Sequence, residues 1–401
     1  MSDSRFSGAM RRNVVLLALS QATVMTSISL VLASSVVIGV SLASPALATL
    51  PLAVQYLSTM AVLYPLARLI ARYGQRPVFM AGAGLGALGL GVAAAGVWLQ
   101  SFLLFSLAGL LVGIFNAVGQ YYRFAAAEAV PPALRSRAIS WTLSGGVLAA
   151  LLGPNLARWT RDALAQPFAA SFLVLAALAL LAVVLAASLR LPPPAGPVSA
   201  SRSADFSALL RQPEFLLAVL VGVIGYALMN LLMTATPLAM MCQKLGFGAT
   251  ASVIQWHVVA MFAPSFVTGN LIARYGALPV MLVGGVCMLA CIAIALNGES
   301  LLHFELALVA LGIGWNFMYV GATARLVECC PAEQKAQVQA FNDGLVFLAI
   351  AGVTFSAGGL VDRFGWASLN LLALLPLLLV MSLILWRLLA SRRGVGGSQP
   401  A

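Results

Sequence analysis

The side chains of this sequence that could bind a solute lie inside long apolar stretches. A polar group surrounded by hydrocarbon is costly unless it is hydrogen-bonded or faces water, so such residues indicate a cavity or contacts between helices. We expect an aqueous cavity lined by Gln21, Thr26, Gln55, Tyr56, Asn116, Gln120, Asn230, Gln255, Trp256, His257, Asn316 and Tyr319. Amides, hydroxyls and aromatic rings suit a neutral or amphiphilic compound better than a strongly charged one.

One of these residues can change its charge near physiological pH. All 11 Asp and Glu lie in loops or near the ends of the apolar stretches, whereas His257 lies deep inside one of them. A charge at the centre of a membrane-spanning helix costs about 2.5–3.5 kcal/mol, so we expect a neutral resting imidazole. Because histidine has an unperturbed pKa of about 6.5, His257 is a candidate proton carrier or solute ligand, with a structural role as the alternative.

Structural roles stay open for several other candidates. Asn116 and Asn316 can hydrogen-bond between helices, but their corresponding positions, 200 residues apart, favour a paired role in the cavity. Asn230 and Gln21 suit interhelical hydrogen bonds equally well. Aromatic rings commonly serve packing, but they can also stack on a solute. The candidates for stacking are Tyr56, Tyr121, Tyr122, Tyr226, Trp256, Trp315 and Tyr319.

The elements that position these residues are expected to be membrane-spanning helices. Hydrophobic residues make up 62% of the 401 residues and charged residues only 8%, against about 25% charged in ordinary soluble domains. A span needs roughly 20 mostly apolar residues. Twelve such stretches begin near Val14, Leu47, Pro77, Phe102, Ala138, Phe168, Phe215, Ala249, Pro279, Phe304, Phe341 and Trp366. The sequence therefore predicts an all-α membrane protein with twelve transmembrane helices.

The basic residues predict the orientation of these spans. If the N-terminus is cytoplasmic, only Arg158, Arg161, Lys244 and Arg363 of the 22 Lys and Arg lie outside, while the acidic residues divide seven inside and four outside. This is the positive-inside distribution, so we expect a multi-pass protein of the inner membrane with both termini in the cytoplasm. The net charge of +11 is thereby explained without nucleic acid as a partner.

A repeat divides the sequence in two. Residues 69–74 read LIARYG, and the same six letters recur at residues 271–276. A second correspondence joins Asn116, Glu128 and Pro131 to Asn316, Glu328 and Pro331. We expect two six-helix halves, residues 1–189 and 215–401, joined by a cytoplasmic linker at 190–214 that is rich in Pro, Ser and Ala. Parallel repeats of this kind occur in transporters whose solute site lies near the membrane midplane.

The repeated segments also resemble a known family. The major facilitator superfamily carries a loop motif after its second span, roughly G-x-L-x-D-R-x-G-R-R. Residues 67–76 read ARLIARYGQR and residues 269–278 read GNLIARYGAL, with Ala71 and Ala273 in place of the Asp. The resemblance, in particular to bacterial drug/proton-antiporter-like permeases, implies pseudo-two-fold symmetry between the halves and transport by alternating access.

For function, the resemblance leads us to expect proton-coupled export, that is, efflux of a small organic molecule. The signals for export are incomplete, because span five keeps only Gly153 and Pro154 of the G-x-x-x-G-P-x-x-G-G pattern of exporters and residues 109–119 contain no Arg. Metabolite uptake by a facilitator or symporter of the same fold is the alternative. A non-transporting receptor or scaffold is disfavoured, since the sequence has no long soluble appendage.

Other classes of activity find no support in the residues. The sequence offers no nucleophile–base pair, no metal-ligand cluster and no P-loop, so we expect neither an enzyme nor a cofactor, a metal site or an ATP-driven pump. The expected partners are a small-molecule solute, protons and membrane lipid, and we expect a monomer.

A cytoplasmic latch between the halves is also expected. Arg72 and Arg76 follow span two, and Asp343 begins span eleven. In the superfamily fold these regions meet when the cytoplasmic side is closed. Because Ala71 has no carboxylate, we expect Asp343 to attract Arg72 or Arg76 instead. We expect Asn342 and Asp343 to cap span eleven as well, and a cap without a partner in the other half is the alternative.

Overall fold

The protein is built from helices, as a computed structural model describing residues 7–131, 134–191, 209–330 and 334–395 shows. The all-α class is confirmed for these residues. The first helices are α1 (Gly8–Leu42), α2 (Leu50–Tyr73), α3 (Gln75–Trp98), α4 (Phe102–Glu128), α5 (Arg135–Leu143), α6 (Gly145–Thr160) and α7 (Ala169–Ala187). They are followed by α8 (Pro213–Cys242), α9 (Phe247–Phe262), α10 (Ser265–Tyr275), α11 (Ala277–Asn297), α12 (Leu301–Glu328) and α13 (Lys335–Val395).

Eleven helical segments of the described chain are long and apolar enough to cross a membrane. The last of them, Gln337–Ala390, is 54 residues long and contains two of the predicted starts, Phe341 and Trp366. A straight helix of that length would measure about 80 Å, far beyond the hydrocarbon core of about 30 Å. The segment is broken at Gly365, where the backbone is not helical, so it provides two spans.

A repeated local structure separates consecutive spans. Gly74, between α2 and α3, has φ 86° and ψ 164°, and Gly276, between α10 and α11, has φ 84° and ψ 162°. Gly365 inside α13 adopts nearly the same conformation. Side chains with a Cβ rarely enter this region, which explains why glycine ends the LIARYG sequence in both copies.

The residues before these glycines also match in structure. The guanidinium of Arg72 lies 5.1 Å from the ring centre of Tyr73, and that of Arg274 lies 5.2 Å from the ring centre of Tyr275. Both pairs end a helix, where a cation is favoured by the helix dipole. The two copies of the sequence repeat therefore adopt the same fold locally.

The chain divides into two compact units. The first contains residues 1–199 and 250–255, and the second contains residues 200–249 and 256–401. The division after residue 199 falls within the predicted linker, of which residues 192–208 lie outside the described part of the chain. Within the first unit α3 packs against α4 and α7, and within the second α12 packs against α11.

In each unit, polar contacts join the first helix to later residues of the same unit, and the two units use different kinds of contact. In the first unit the Asn13 amide donates to the carbonyl of Arg190 at 2.8 Å and accepts from its backbone N–H at 3.1 Å. In the second unit the Glu214 carboxylate, at the start of α8, pairs with Arg325 on α12 and lies 3.5 Å from Arg387 on α13. The contacts in the second unit are ion pairs, and they link the three helices α8, α12 and α13.

The glycine conformation leads to a first prediction. Replacing Gly276 with alanine forces a Cβ into a region that is essentially restricted to glycine, so Gly276→Ala should lower the free energy of unfolding by about 1–3 kcal/mol. Gly269→Ala is the matched control, because Gly269 lies in α10 with no atom within 4 Å of an added Cβ. Thermal unfolding of both variants in detergent measures the difference, and equal stability would contradict the conformational argument.

Candidate functional site

Four aromatic rings form a cluster in the second unit, which we call the aromatic cluster: Tyr226 on α8, Phe262 at the end of α9, and Trp315 and Tyr319 on α12. The rings of Trp315 and Tyr319 are stacked, with centres 5.2 Å apart and planes within 10°. Tyr226 meets both rings edge-on, with centres 5.1 Å away. Phe262 meets Trp315 at 6.2 Å. Parallel and edge-to-face contacts are the geometries that aromatic rings favour.

The cluster follows from helical spacing. Trp315 and Tyr319 are four residues apart and therefore share one face of α12. Trp315 is buried, whereas Tyr226, Phe262 and Tyr319 are only half-buried, so part of each of these three rings remains accessible. Three of the predicted stacking candidates are thus brought together. Phe262 was not predicted, because one phenylalanine in an apolar helix carries no distinguishing signal.

His257 lies fully buried on α9, beside α12. Its Nδ1 is 2.7 Å from the carbonyl oxygen of Leu308. A carbonyl only accepts hydrogen bonds, so Nδ1 carries the proton and Nε2 of a neutral ring is an acceptor. Nε2 is buried and has no hydrogen-bond partner among the described residues. The ring is therefore held at one nitrogen and available at the other.

Asn316 is engaged in hydrogen bonds at a break between helices. The break lies between α9 and α10, at Pro264, which has no backbone N–H to continue the helix. The Asn316 amide nitrogen donates to the carbonyl of Met261 at 2.7 Å and to the hydroxyl of Ser265 at 2.6 Å. Its oxygen accepts from the hydroxyl of Thr268 at 2.6 Å. Asn316 therefore has the interhelical role that the sequence left open, and Pro264 inside an apolar span was the available signal.

Asn116, at the corresponding position of the first unit, differs from Asn316 in the hydrogen bonding of its side-chain oxygen. It is buried on α4, and its side-chain oxygen has no hydrogen-bond partner within the described chain. The oxygen of Gln21 on α1 is likewise buried and unpartnered there. The two asparagines are thus not structurally equivalent, because only Asn116 keeps a free acceptor.

Gln55, the counterpart of His257 in the repeat, lies buried on α2. Together with Ser35, Phe105 and Phe172 it lines a cavity of about 20 Å³, which is large enough for one water molecule. The neighbouring Tyr56 and, on α1, Thr26 are also buried, while Gln120 on α4 is half-buried. These first-unit candidates lie within the helices as predicted, and their contact with a solute stays a prediction.

The remaining three candidates, Asn230, Gln255 and Trp256, differ in their hydrogen bonds and exposure. Asn230 on α8 accepts hydrogen bonds from Thr354 at 2.6 Å and from Thr234 at 3.5 Å, so its oxygen serves contacts within the second unit. Gln255, which belongs to the first unit, accepts from Asn155 at 2.8 Å. Trp256 is 49% exposed, and its contact with a solute stays a prediction.

The predicted cap of span eleven is wrong. Helix α13 begins at Lys335, so Asn342 and Asp343 lie inside it rather than at its end. Four of the six residues between Lys335 and Asn342 are Ala or Gln, which are good helix formers and extend the helix toward its N-terminus. Arg72 and Arg76 are exposed and Asp343 is half-buried, and the latch between them stays a prediction.

The contrast between the two asparagines gives a second prediction. Asn316→Ala leaves the Met261 carbonyl and the Thr268 hydroxyl without that partner, so it should lower the free energy of unfolding by about 1–3 kcal/mol. Asn116→Ala is the matched control and should cost less, since its oxygen has no partner to lose. Thermal unfolding in detergent compares the two variants. A larger loss for Asn116→Ala would contradict the assignment of Asn316 to the helix break.

Comparison with known sequences identifies the family. The family model described as Major Facilitator Superfamily matches residues 14–351. The riboflavin transporter RfnT of Brucella anthropi is 40% identical over 384 residues, which cover 95% of this chain and 96% of that protein. YdeG of Bacillus subtilis, named an uncharacterized MFS-type transporter, is 31% identical over 382 residues, which cover 88% of each protein.

Comparison with solved structures supports the same fold. A mutant of the nucleoside transporter NupG matches with a TM-score of 0.76 and 13% identity, covering 93% of this chain and 99% of that chain. Identity this low bears on the fold alone. The family match covers most of the chain, and the resemblance inferred from residues 67–76 and 269–278 is confirmed at the level of the superfamily. The chain therefore belongs to the Major Facilitator Superfamily, whose members named here are transporters of the membrane.

Proposed function

We propose that this secondary transporter imports riboflavin or a closely similar flavin. The observation that carries the proposal is the 40% identity to a riboflavin transporter over 95% of the chain. Both proteins align over nearly their full lengths, so the likeness includes the helices that carry the candidate site as well as the superfamily motif.

The chemistry of the candidate residues suits this solute. Riboflavin is uncharged at neutral pH and combines a flat three-ring isoalloxazine with a chain of hydroxyl groups. Within the second unit the aromatic cluster offers ring faces for stacking. Within the first unit, taken by itself, the unpartnered oxygens of Gln21 and Asn116 can accept hydrogen bonds from hydroxyls. The sequence places no Asp or Glu at the centre of a span, and a neutral solute needs no countercharge there.

The direction of transport is proposed to be inward. Export was the expectation from the resemblance, and flavin import replaces it because the exporter signals are incomplete in spans four and five. The positive-inside distribution supports the accompanying proposal that the protein lies in the inner membrane with both termini in the cytoplasm.

The third prediction tests import directly. Expression in a riboflavin-auxotrophic bacterium without its own flavin uptake should permit growth at riboflavin concentrations that do not support cells with an empty vector. Uptake of radiolabelled riboflavin should rise in the same cells. A fluorescent reporter that matures only in the cytoplasm, fused after Ala401, measures the amount of protein and tests the position of the C-terminus. Expressing cells that need more riboflavin than the vector control would indicate export and contradict the proposal.

We further propose that His257 couples import to protons. Its Nε2 is free to take a proton while Nδ1 stays bonded to Leu308. Protonation at this depth creates a charge that is costly in an apolar setting, so it favours a conformation in which the ring meets water or a polar solute. A proton can thereby bias the equilibrium between two transport states.

The fourth prediction concerns this coupling. His257→Gln keeps a donor for the Leu308 carbonyl, so the variant should fold and should still exchange riboflavin across liposomes. It should lose the dependence of uptake on a transmembrane pH gradient. His303→Gln is the matched control, because His303 is the second of two histidines and is bonded to Ser300 at the start of α12. An unchanged dependence of uptake on the pH gradient in His257→Gln would give His257 a structural role.

A further inference from the structure

Five buried side-chain atoms of the second unit lack a hydrogen-bond partner among the residues that the structure describes, and two of these atoms belong to rings on α9 and α12. These two atoms are the indole Nε1 of Trp315 and the imidazole Nε2 of His257. Their side chains are 6% and 0% exposed. An unsatisfied buried donor or acceptor costs about 1–3 kcal/mol, and native proteins keep few of them. The indole nitrogen of Trp366 is also unpartnered, so what distinguishes Trp315 is its setting.

The setting is one turn of α12, which the His257 ring contacts at Leu308 and over which helical spacing places the indole of Trp315. The carbonyl of Leu308, which binds His257, points along the helix toward its C-terminus and therefore toward Trp315. Trp315 follows Leu308 by seven residues, lies on the same face, and leans back over the preceding turn as long helical side chains do. That turn contains Gly312, where an added Cβ would lie 2.7 Å from the backbone oxygen of His257. The glycine lets α9 and α12 approach closely at this point.

We propose that Trp315 and His257 bind the imide edge of the flavin ring, an inference that rests on the proposed flavin transport. This edge of isoalloxazine presents an N–H between two carbonyl oxygens. The indole N–H can only donate and suits a carbonyl oxygen of the edge. The Nε2 of unprotonated His257 accepts, because Nδ1 carries the proton toward Leu308, and it suits the imide N–H, so a proton and the flavin occupy this nitrogen in alternation. The indole N–H of Trp315 thus donates to a flavin carbonyl oxygen, and the imide N–H of the flavin donates to His257.

The aromatic cluster supplies the rest of the subsite. Tyr319 stacks on Trp315 and Tyr226 meets both rings edge-on, and both tyrosines are partly accessible. A flat solute whose imide edge reaches the Trp315 nitrogen has these rings beside its apolar part. Stacking holds many flat molecules, whereas the two hydrogen bonds select for an imide.

Selectivity of this kind is open to direct measurement. A site that hydrogen-bonds a substrate N–H discriminates against an analogue lacking it, because the analogue leaves the buried acceptor unpaired. In 3-methylriboflavin a methyl group replaces the imide hydrogen and the rings are unchanged. The parent protein should therefore bind riboflavin more tightly than 3-methylriboflavin, by about 5- to 10-fold.

The experiment is equilibrium binding of both flavins to purified full-length protein, followed by quenching of flavin fluorescence. Trp315→Phe keeps a ring but removes the N–H, and should weaken riboflavin binding by about 5- to 10-fold. Trp366→Phe is the matched control, because Trp366 is 5% exposed, has an unpartnered nitrogen and packs on Phe304 outside the aromatic cluster. It should bind riboflavin like the parent. Thermal unfolding confirms that each variant is folded.

His257 is tested through the preference for riboflavin over the methylated analogue. His257→Gln retains an acceptor and should retain the preference, whereas His257→Leu should lose it. The subsite is overturned if the parent binds both flavins equally, or if Trp315→Phe binds riboflavin like the parent. It is also overturned if Trp366→Phe loses as much affinity as Trp315→Phe. A parent protein that binds neither flavin overturns the proposed function itself, which separates the two failures.

Discussion

The fold depends on the requirement that buried polar groups be satisfied inside the protein, since a span has no water beside it in the hydrocarbon. Hydroxyls inside the helices meet this requirement locally, as when Ser27 donates to the Thr23 carbonyl at 3.0 Å and Thr236 to the Leu232 carbonyl at 2.7 Å. The break between α9 and α10 cannot be satisfied locally, because Pro264 interrupts the helix. Asn316 reaches across from α12 and supplies the missing donors, so the interruption of α9 is held by side-chain contacts from a neighbouring helix.

Against this background the unsatisfied atoms are informative. The described residues with buried, unpartnered side-chain atoms include Gln21, Asn116, His257 and Trp315, and all four were already candidates from sequence. Each such atom lowers the stability of the fold. The protein gains from keeping it only if another molecule binds the atom. A transporter has a reason to carry that cost, because a group satisfied only by the solute contributes to affinity and selectivity. The same reasoning separates these residues from Asn230 and Asn316, whose oxygens are used by their neighbours.

Sequence reasoning succeeded where a physical constraint acts on the chain itself. Apolar length predicted the spans, and the glycine that ends LIARYG is required by a backbone conformation that both copies share. Sequence reasoning failed where contacts between residues distant in the sequence determine the role of a side chain. The residues around Asn116 and Asn316 do not separate the two asparagines. The available signal was the distant Pro264, and the break there lies beside Asn316 alone. The start of α13 was placed too late for a related reason, since the segment from Lys335 is polar enough to resemble a loop but favours a helix.

The two halves of the repeat carry a glutamine and a histidine, Gln55 and His257, at corresponding positions. A Cβ at Gly113 would lie 2.5 Å from the backbone oxygen of Gln55, and one at Gly312 would lie 2.7 Å from that of His257. The same close approach of two helices therefore underlies both positions, although their side chains differ. Gln55 lines a cavity of about 20 Å³ within the first unit, whereas His257 is held by Leu308 with one nitrogen left unbound. Both positions share the same close contact between a glycine and the neighbouring helix backbone. Replacing the amide of glutamine with an imidazole therefore changes the side-chain chemistry without changing this helix contact. An imidazole in one half only then follows from a side-chain difference on a common backbone arrangement.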